Sequence, residues 1–252
     1  MTPPRRTNQS AGGRTPSSVF RRPPGFVPPT GDQMILNFHV PSPIALNISI
    51  FVVKGTSPGP LQDYLDAAVQ RLQHYGFALN IHPASRTPIE IDYVGKIGPK
   101  FGADDEDTEC GKARGKAADA FNDQANPLRF PIIMAPINQA DRGDEQRGIT
   151  QVDYTKLDLD GRKTVSGVTW LPFAIVDSDK KDTDSGALFH EMCHGALLRH
   201  PGEGPDPDNV ATSDLANIMR APSQNGPART VLNKKQVRAL AKCYFATPRT
   251  TI

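Results

Sequence analysis

The sequence predicts an α+β fold in one folded domain, with α/β as the neighbouring class. Three observations carry this. Short apolar runs with strand character alternate with stretches of helical period through much of the 252 residues. "FPIIMAPI", residues 130–137, is a near-continuous apolar run of the kind buried on both faces of a sheet. The remainder, from the histidine-rich stretch onward, is mostly loop and helix.

Taken in order, residues 1–31 hold seven prolines and five arginines, with no acidic residue before Asp32. Such a segment cannot bury enough apolar surface to offset its ordering entropy, so it reads as a disordered leader to a folded domain over 32–252. "MILNFHV" and "NISIFVV" read as paired strands. Pro41, Pro43, Asn37, Asn47 and His39 interrupt the apolar run 34–53, which excludes a membrane span. "GPLQDYLDAAVQRLQHYGF" is an amphipathic helix with Leu61, Leu65, Ala68, Val69 and Leu72 on one face. "ALNIHP" and "IEIDYVG" follow as short strands, and "GKARGKAADAFNDQ" as a helix with a weak face. "KLDLDGRKTVSGVTWLPFAIVD" reads as a hairpin turning at Asp160-Gly161, then a strand broken near Pro172. A histidine-bearing helix capped by Asp184 or Ser185 comes next. The last element is "LNKKQVRALAKCYF", with Asn233 and Gln236 as a capping box, Leu232 stapled onto Val237, and Val237, Leu240, Ala241 and Tyr244 buried. The acidic stretches "FGADDEDTEC" and "DSDKKDTDSG" read as solvated turns. Ca2+ is their second reading, although neither has the regular oxygen ladder of a known calcium loop.

A formal charge of +2 gives no electrostatic case for a nucleic-acid or membrane-surface partner. Three cysteines do not make a disulfide framework; Cys110–Cys243 is the pair expected in an oxidising compartment, because Cys193 lies inside the histidine stretch. The start, "MTPPRRTNQSAGGRTPSS", has basic residues but no apolar core to follow them, so no secretory signal is visible. The expectation is a protein kept in the producing cell or exported by a specialised machine; the leader reads first as a solvated tail, with an export or loading signal, a partner-docking arm and an inhibitory segment as the sharper alternatives.

The chemistry concentrates in "LFHEMCHGALLRHPG", residues 188–202. His190 and His194 are four residues apart, one helical turn, so one face can grip one cation. Glu191 projects beside them as a base for a metal-bound water. The pattern H-E-x-x-H arises by chance in about one chain in a hundred of this length; the reading it stands against is a surface or core helix whose histidines only make hydrogen bonds. On an unbroken helix His200 points about 100° away from that face. Pro201 disfavours helical geometry at His200, and Gly202, Gly204 and Pro205 forbid continuation, so the chain leaves the helix and a third histidine can swing back. His39, His74 and His82 share no ligand spacing and read as ordinary residues. Cys193 falls on another helical face and reads as a small buried side chain.

"HEMCHGALLRH" resembles the extended zinc signature H-E-x-x-H-x-x-G-x-x-H of the metzincin metalloproteases, and "DLANIMRAP" resembles their Met-turn. The resemblance implies a metzincin-like zincin domain: a mixed twisted sheet, a zinc-binding helix and a closing C-terminal helix. It implies one catalytic Zn2+ on His190, His194 and His200, Glu191 as catalytic base, and Met219 as the methionine beneath the metal. It also implies an edge strand within "VSGVTWLPFAIV", with Val168, Thr169 and Trp170 binding a peptide or protein substrate by strand addition. Two positions depart from the pattern. Leu197 stands where the family has glycine and cannot take a left-handed conformation cheaply, so Glu203, Asp206, Asp208 and Asp214 stay open as third ligands. Ala221 stands where many members carry tyrosine. The function implied is a zinc-dependent endopeptidase, an exported effector or toxin protease by its leader. The alternatives are a catalytically idle, zinc-stabilised protein-binding domain and a zinc hydrolase of a non-peptide amide.

Overall fold

The structure, a computed structural model, describes residues 44–57, 60–98, 108–121, 128–138, 148–152, 172–179, 186–201, 216–220 and 231–248. The leader, the "MILNFHV" strand, the Asp160-Gly161 turn and most of both acidic stretches lie outside them. Strand β1, Ile44–Val53, starts directly after Pro43, and nine of its ten residues are buried. Helix α1 is Leu61–His74, β2 is Phe77–Ile81, and β3 is Ile89–Ile91 beyond a 3₁₀ turn at Pro83–Ser85. Helix α2 is Glu109–Ala120, β4 is Phe130–Ala135, β5 is Gly148–Gln151 and β6 is Phe173–Asp177. Helix α3 is Ala187–Gly195, α4 is Lys234–Lys242 and β7 is Ala246–Pro248.

All seven strands join one twisted mixed sheet, ordered β2-β1-β4-β6-β5, with β3 and β7 also paired to β1. β2, β3 and β4 run parallel to β1, and β6 parallel to β4; β7 and β5 are the antiparallel additions. This is a mixed α+β fold. β4 is buried at every residue, as its unbroken apolar sequence predicts.

The sheet separates two apolar layers. On one face, Leu46, Ile48, Ile50 and Val52 of β1 pack with α1, α3 and α4 residues such as Leu72, Phe189 and Leu240. On the other, Phe51 and Val53 pack with Cys110, Ala113 and Ala117 of α2. The alternation is the period-2 rule of a strand buried on both faces. It also corrects the cysteine pairing: Cys110 and Cys243 belong to opposite layers, and the three buried cysteines form no disulfide with one another. Burial pushes the Cys110 thiol up to about 12, with the nearby Glu109 adding to it, so this cysteine is an inert core side chain.

Caps explain where the helices sit. Thr108 accepts a hydrogen bond from the Gly111 N–H at the start of α2, and Asn233 and Gln236 form the predicted capping box on α4. α3 differs from expectation. Its N-cap is Gly186 in the left-handed region (φ 65°), without a side-chain cap, in place of Asp184 or Ser185. A Cβ at Gly186 would lie 2.6 Å from Arg71 Nε of α1, so close packing of the two helices favours glycine there twice over. All nine residues of α3 are buried, including His190, Glu191 and His194. A helix buried all round is a core helix, and its polar groups must find partners inside the protein.

Of the stretch 165–176 expected to hold the sheet edge, Phe173–Val176 lies in β6 between β4 and β5, and residues 165–171 lie outside the described residues. The edge beside α3 is β5, whose only strand partner among the described residues is β6. Val168, Thr169 and Trp170 lie outside the described residues. Among those described, no helix is long and apolar enough to cross a membrane.

Candidate metal centre

Three imidazoles converge at the C-terminal end of α3. The Nε2 atoms of His190 and His194 are 3.1 Å apart, and His200 Nε2 is 3.2 Å from each. The rings of His190 and His194 are held from behind by the main chain. His190 Nδ1 donates to the Ile218 carbonyl (2.6 Å), and His194 Nδ1 donates to the Leu198 carbonyl (2.8 Å). A carbonyl can only accept, so each ring carries its proton on Nδ1 and, when neutral, presents an Nε2 lone pair to the centre. Two buried lone pairs 3.1 Å apart repel one another, and a shared cation turns that repulsion into coordination. The three nitrogens could hold one metal ion.

How His200 arrives is set by the helix end. The Leu197 N–H donates to His194 O (2.8 Å), and the Leu198 N–H donates to Cys193 O (3.1 Å). These two bonds make a Schellman turn, with Cys193 and Leu198 packed in the same apolar layer. The left-handed position of such a turn normally holds glycine; here it is Leu197 at φ 68°, the only non-glycine residue with positive φ among those described. The turn thus keeps its geometry despite the missing glycine and leads the chain back to place His200 against the other two. Glu203, Asp206, Asp208, Asp214 and Ala221 lie outside the described residues.

The left-handed conformation costs Leu197 about 1–2 kcal/mol. Its side chain is 4% exposed, and losing a buried leucine costs about 2–5 kcal/mol, so burial outweighs strain. Leu197→Gly is therefore expected to lower stability in urea by up to about 4 kcal/mol, the difference of those terms, while metal affinity changes less than about threefold. A more stable glycine variant would show that strain dominates.

Glu191 lies in the same turn of α3, between the two helical histidines. The Thr150 hydroxyl on β5 donates to Glu191 Oε2 (2.5 Å) and lies 3.0 Å from the Glu191 carbonyl. Gly148, two residues earlier, leaves the space that the carboxylate fills: a Cβ there would be 2.6 Å from Glu191 Cγ. β5 therefore shapes the carboxylate's position. No sequence signal marked it, because "GITQ" has neither the length nor the alternation of a predictable strand.

Met219 is fully buried in the layer that contains Met192 and Cys193, one residue after the carbonyl that holds His190. Its N–H donates to Asn217 Oδ1 (3.0 Å). The remaining described histidines are structural: His82 Nδ1 accepts from the Ala84 N–H, and His74 packs edge-on against Tyr75. No family model and no curated protein matches this chain.

Proposed function

We propose that the chain is a zinc-dependent endopeptidase with a metzincin-like site, in which His190, His194 and His200 hold the ion and Glu191 is the general base. The observation behind this reading is the triangle of Nε2 atoms 3.1–3.2 Å on a side, with a buried carboxylate in the same helical turn. Tetrahedral coordination by nitrogen at about 2.0–2.1 Å needs nitrogens about 3.3 Å apart, so the donor set fits zinc. When bound there, zinc supplies a Lewis acid that polarises a carbonyl and brings the pKa of a water towards neutrality. Glu191 accepts the proton and returns it to the leaving amine. Thr150 keeps the carboxylate oriented for both transfers. Among the described residues the donors are three nitrogens; a zinc held by those three alone would keep a position for reaction, whereas structural zinc sites close all four with protein. Substrate strand addition falls on β5, beside Glu191.

The test is cleavage of an unbiased peptide library by zinc-loaded wild type and by a Glu191 variant. Cleavage only by wild type supports the endopeptidase. Silence of both with zinc bound favours a binding domain or a hydrolase of non-peptide amides.

Thr150 provides a separate check. Thr150→Val keeps the shape and removes the hydroxyl. It is expected to lower kcat by about 10–100-fold, the equivalent of the roughly 1.5–3 kcal/mol carried by a hydrogen bond to a charged group. KM and zinc content should hold, and Thr150→Ser should recover most of the rate.

A further inference from the structure

The carbonyl that orients His190 belongs to a short turn, and that turn is fastened to the C-terminal helix by a pair of buried amides. Asn217 and Gln236 are both fully buried. Asn217 Nδ2 donates to Gln236 Oε1 (2.9 Å), and Gln236 Nε2 donates back to Asn217 Oδ1 (3.1 Å). Main-chain donors fix which way each amide points. The Met219 N–H donates to Asn217 Oδ1 (3.0 Å), and the Asn233 N–H donates to Gln236 Oε1 (2.9 Å). Flipping either amide would set an NH₂ group against an N–H, so the pair has one satisfied arrangement.

The consequences run in one direction through the structure. Asn217 builds the turn over residues 217–220: its side chain takes the Met219 N–H, and its carbonyl takes the Arg220 N–H (3.1 Å). Between those bonds the Ile218 carbonyl faces His190 Nδ1 at 2.6 Å. The other support of this turn is a parallel bridge to Val231, with Ile218 N–H donating to Val231 O (2.9 Å) and Val231 N–H to Ala216 O (3.0 Å). Gln236 lies in the first turn of α4, where its main-chain N–H is also held by Asn233 Oδ1 (2.9 Å).

We propose that Asn217 and Gln236 are positioning residues for the metal, through which α4, without contributing a ligand, sets the affinity of the histidine triad. The proposal rests on the reading of His190, His194 and His200 as metal ligands, and it is independent of which reaction the site performs. A ligating histidine binds best when its second nitrogen is held in one tautomer and one orientation, and removing such outer partners costs about 10–100-fold in affinity. Asn217 and Gln236 act through the Ile218 carbonyl, so the lower end of that range, about tenfold, is expected for each.

The experiment compares Gln236→Met and Asn217→Ala with Asn233→Ala in the full chain. Gln236→Met keeps the side chain's length and removes both amide bonds. Asn233→Ala removes the cap on α4 and leaves the Asn217–Gln236 pair and the Asn233 N–H in place, so it controls for helix stability. Zn2+ affinity is read by competition with a chromogenic chelator, Tm by melting of the metal-free protein, and ligand geometry by the visible spectrum of the Co2+-loaded protein. The expected result is an affinity loss of about tenfold and an altered Co2+ spectrum for Gln236→Met and Asn217→Ala. Asn233→Ala should lower Tm while holding affinity within about twofold, the margin that separates it from an outer-partner effect.

Wild-type affinity and spectrum in Gln236→Met would overturn the proposal. So would an equal affinity loss in Asn233→Ala, which would mean that affinity only follows stability. If Gln236→Met does not fold, Gln236→Glu, which keeps the acceptor for Asn233 and loses the donor to Asn217, is read in the same way. A wild type that binds neither Zn2+ nor Co2+ removes the triad reading and this proposal with it, and that outcome is visible before any variant is made.

Discussion

Glu191→Gln is expected to lower peptide cleavage by about 10²–10⁴-fold, the range that a positioned general acid–base contributes, with zinc affinity within about threefold of wild type. Glutamine matches glutamate in size, so it fits the space opened by Gly148 and still offers Thr150 an acceptor oxygen. What it loses is the ability to take and return a proton. Glu191 is not one of the three converging ligands, so its neutralisation should leave the His190–His194–His200 triangle intact. The measurement is kcat/KM on a peptide selected from the library, alongside zinc content and chelator competition. A glutamine variant that cuts at a rate near wild type would refute the assignment of Glu191 as base, whatever the metal does. A variant that loses both zinc and activity would point instead to a carboxylate needed for the site's structure. Glu191→Ala is the weaker test, because it empties a buried site and frees Thr150 to rotate.

What could be read from the sequence follows from where each signal is stored. α1, β4 and α4 are visible because side-chain period, apolar run length and cap residues are written in residue types. Tyr64 joins the buried face of α1, and Val69 is only half-buried, a shift of one position around the helix. The convergence of His190 and His194 needs only a helix, and that of His200 needs only a helix that stops. Pro201 and the glycines after it put the stop beside His200, yet α3 ends at Gly195 and turns at Leu197, where a buried leucine accepts a conformation usually left to glycine. Tertiary burial overrides local preference there, and no local rule reports it. β5 and β7 are four and three residues long and gain their structure from β6 and β1, so their own sequences say little. The groups that orient the histidines are the carbonyls of Ile218 and Leu198, and a main-chain oxygen has no residue-type signature. Gln236 was visible as a capping residue, but its bond to Asn217, 19 positions away, was not.

If the triad holds zinc as proposed, His194 should be the most sensitive of the three histidines, because it does two things at once. Its Nε2 faces the centre at 3.1 Å from His190 and 3.2 Å from His200. Its Nδ1 holds the Leu198 carbonyl, which belongs to the turn that returns the chain to His200. His194→Ala therefore removes one ligand and loosens the segment that delivers another. The expected loss of zinc affinity exceeds the roughly 10–100-fold of an outer partner and should also exceed that of His200→Ala, where only a half-buried ligand goes. Stability gives an independent reading. Zinc at about 1,000 times its Kd should stabilise wild type by about 4 kcal/mol through mass action. At the same zinc concentration a loss of more than about 100-fold should leave His194→Ala with less than about 1.4 kcal/mol of that stabilisation. Without metal, the gap between the two proteins should shrink, since the wild type then holds unrelieved lone pairs against one another while the variant holds a small cavity. Each of those defects costs about 1–3 kcal/mol. If zinc shifts the melting of His194→Ala as far as it shifts that of wild type, the ion binds somewhere other than this triad.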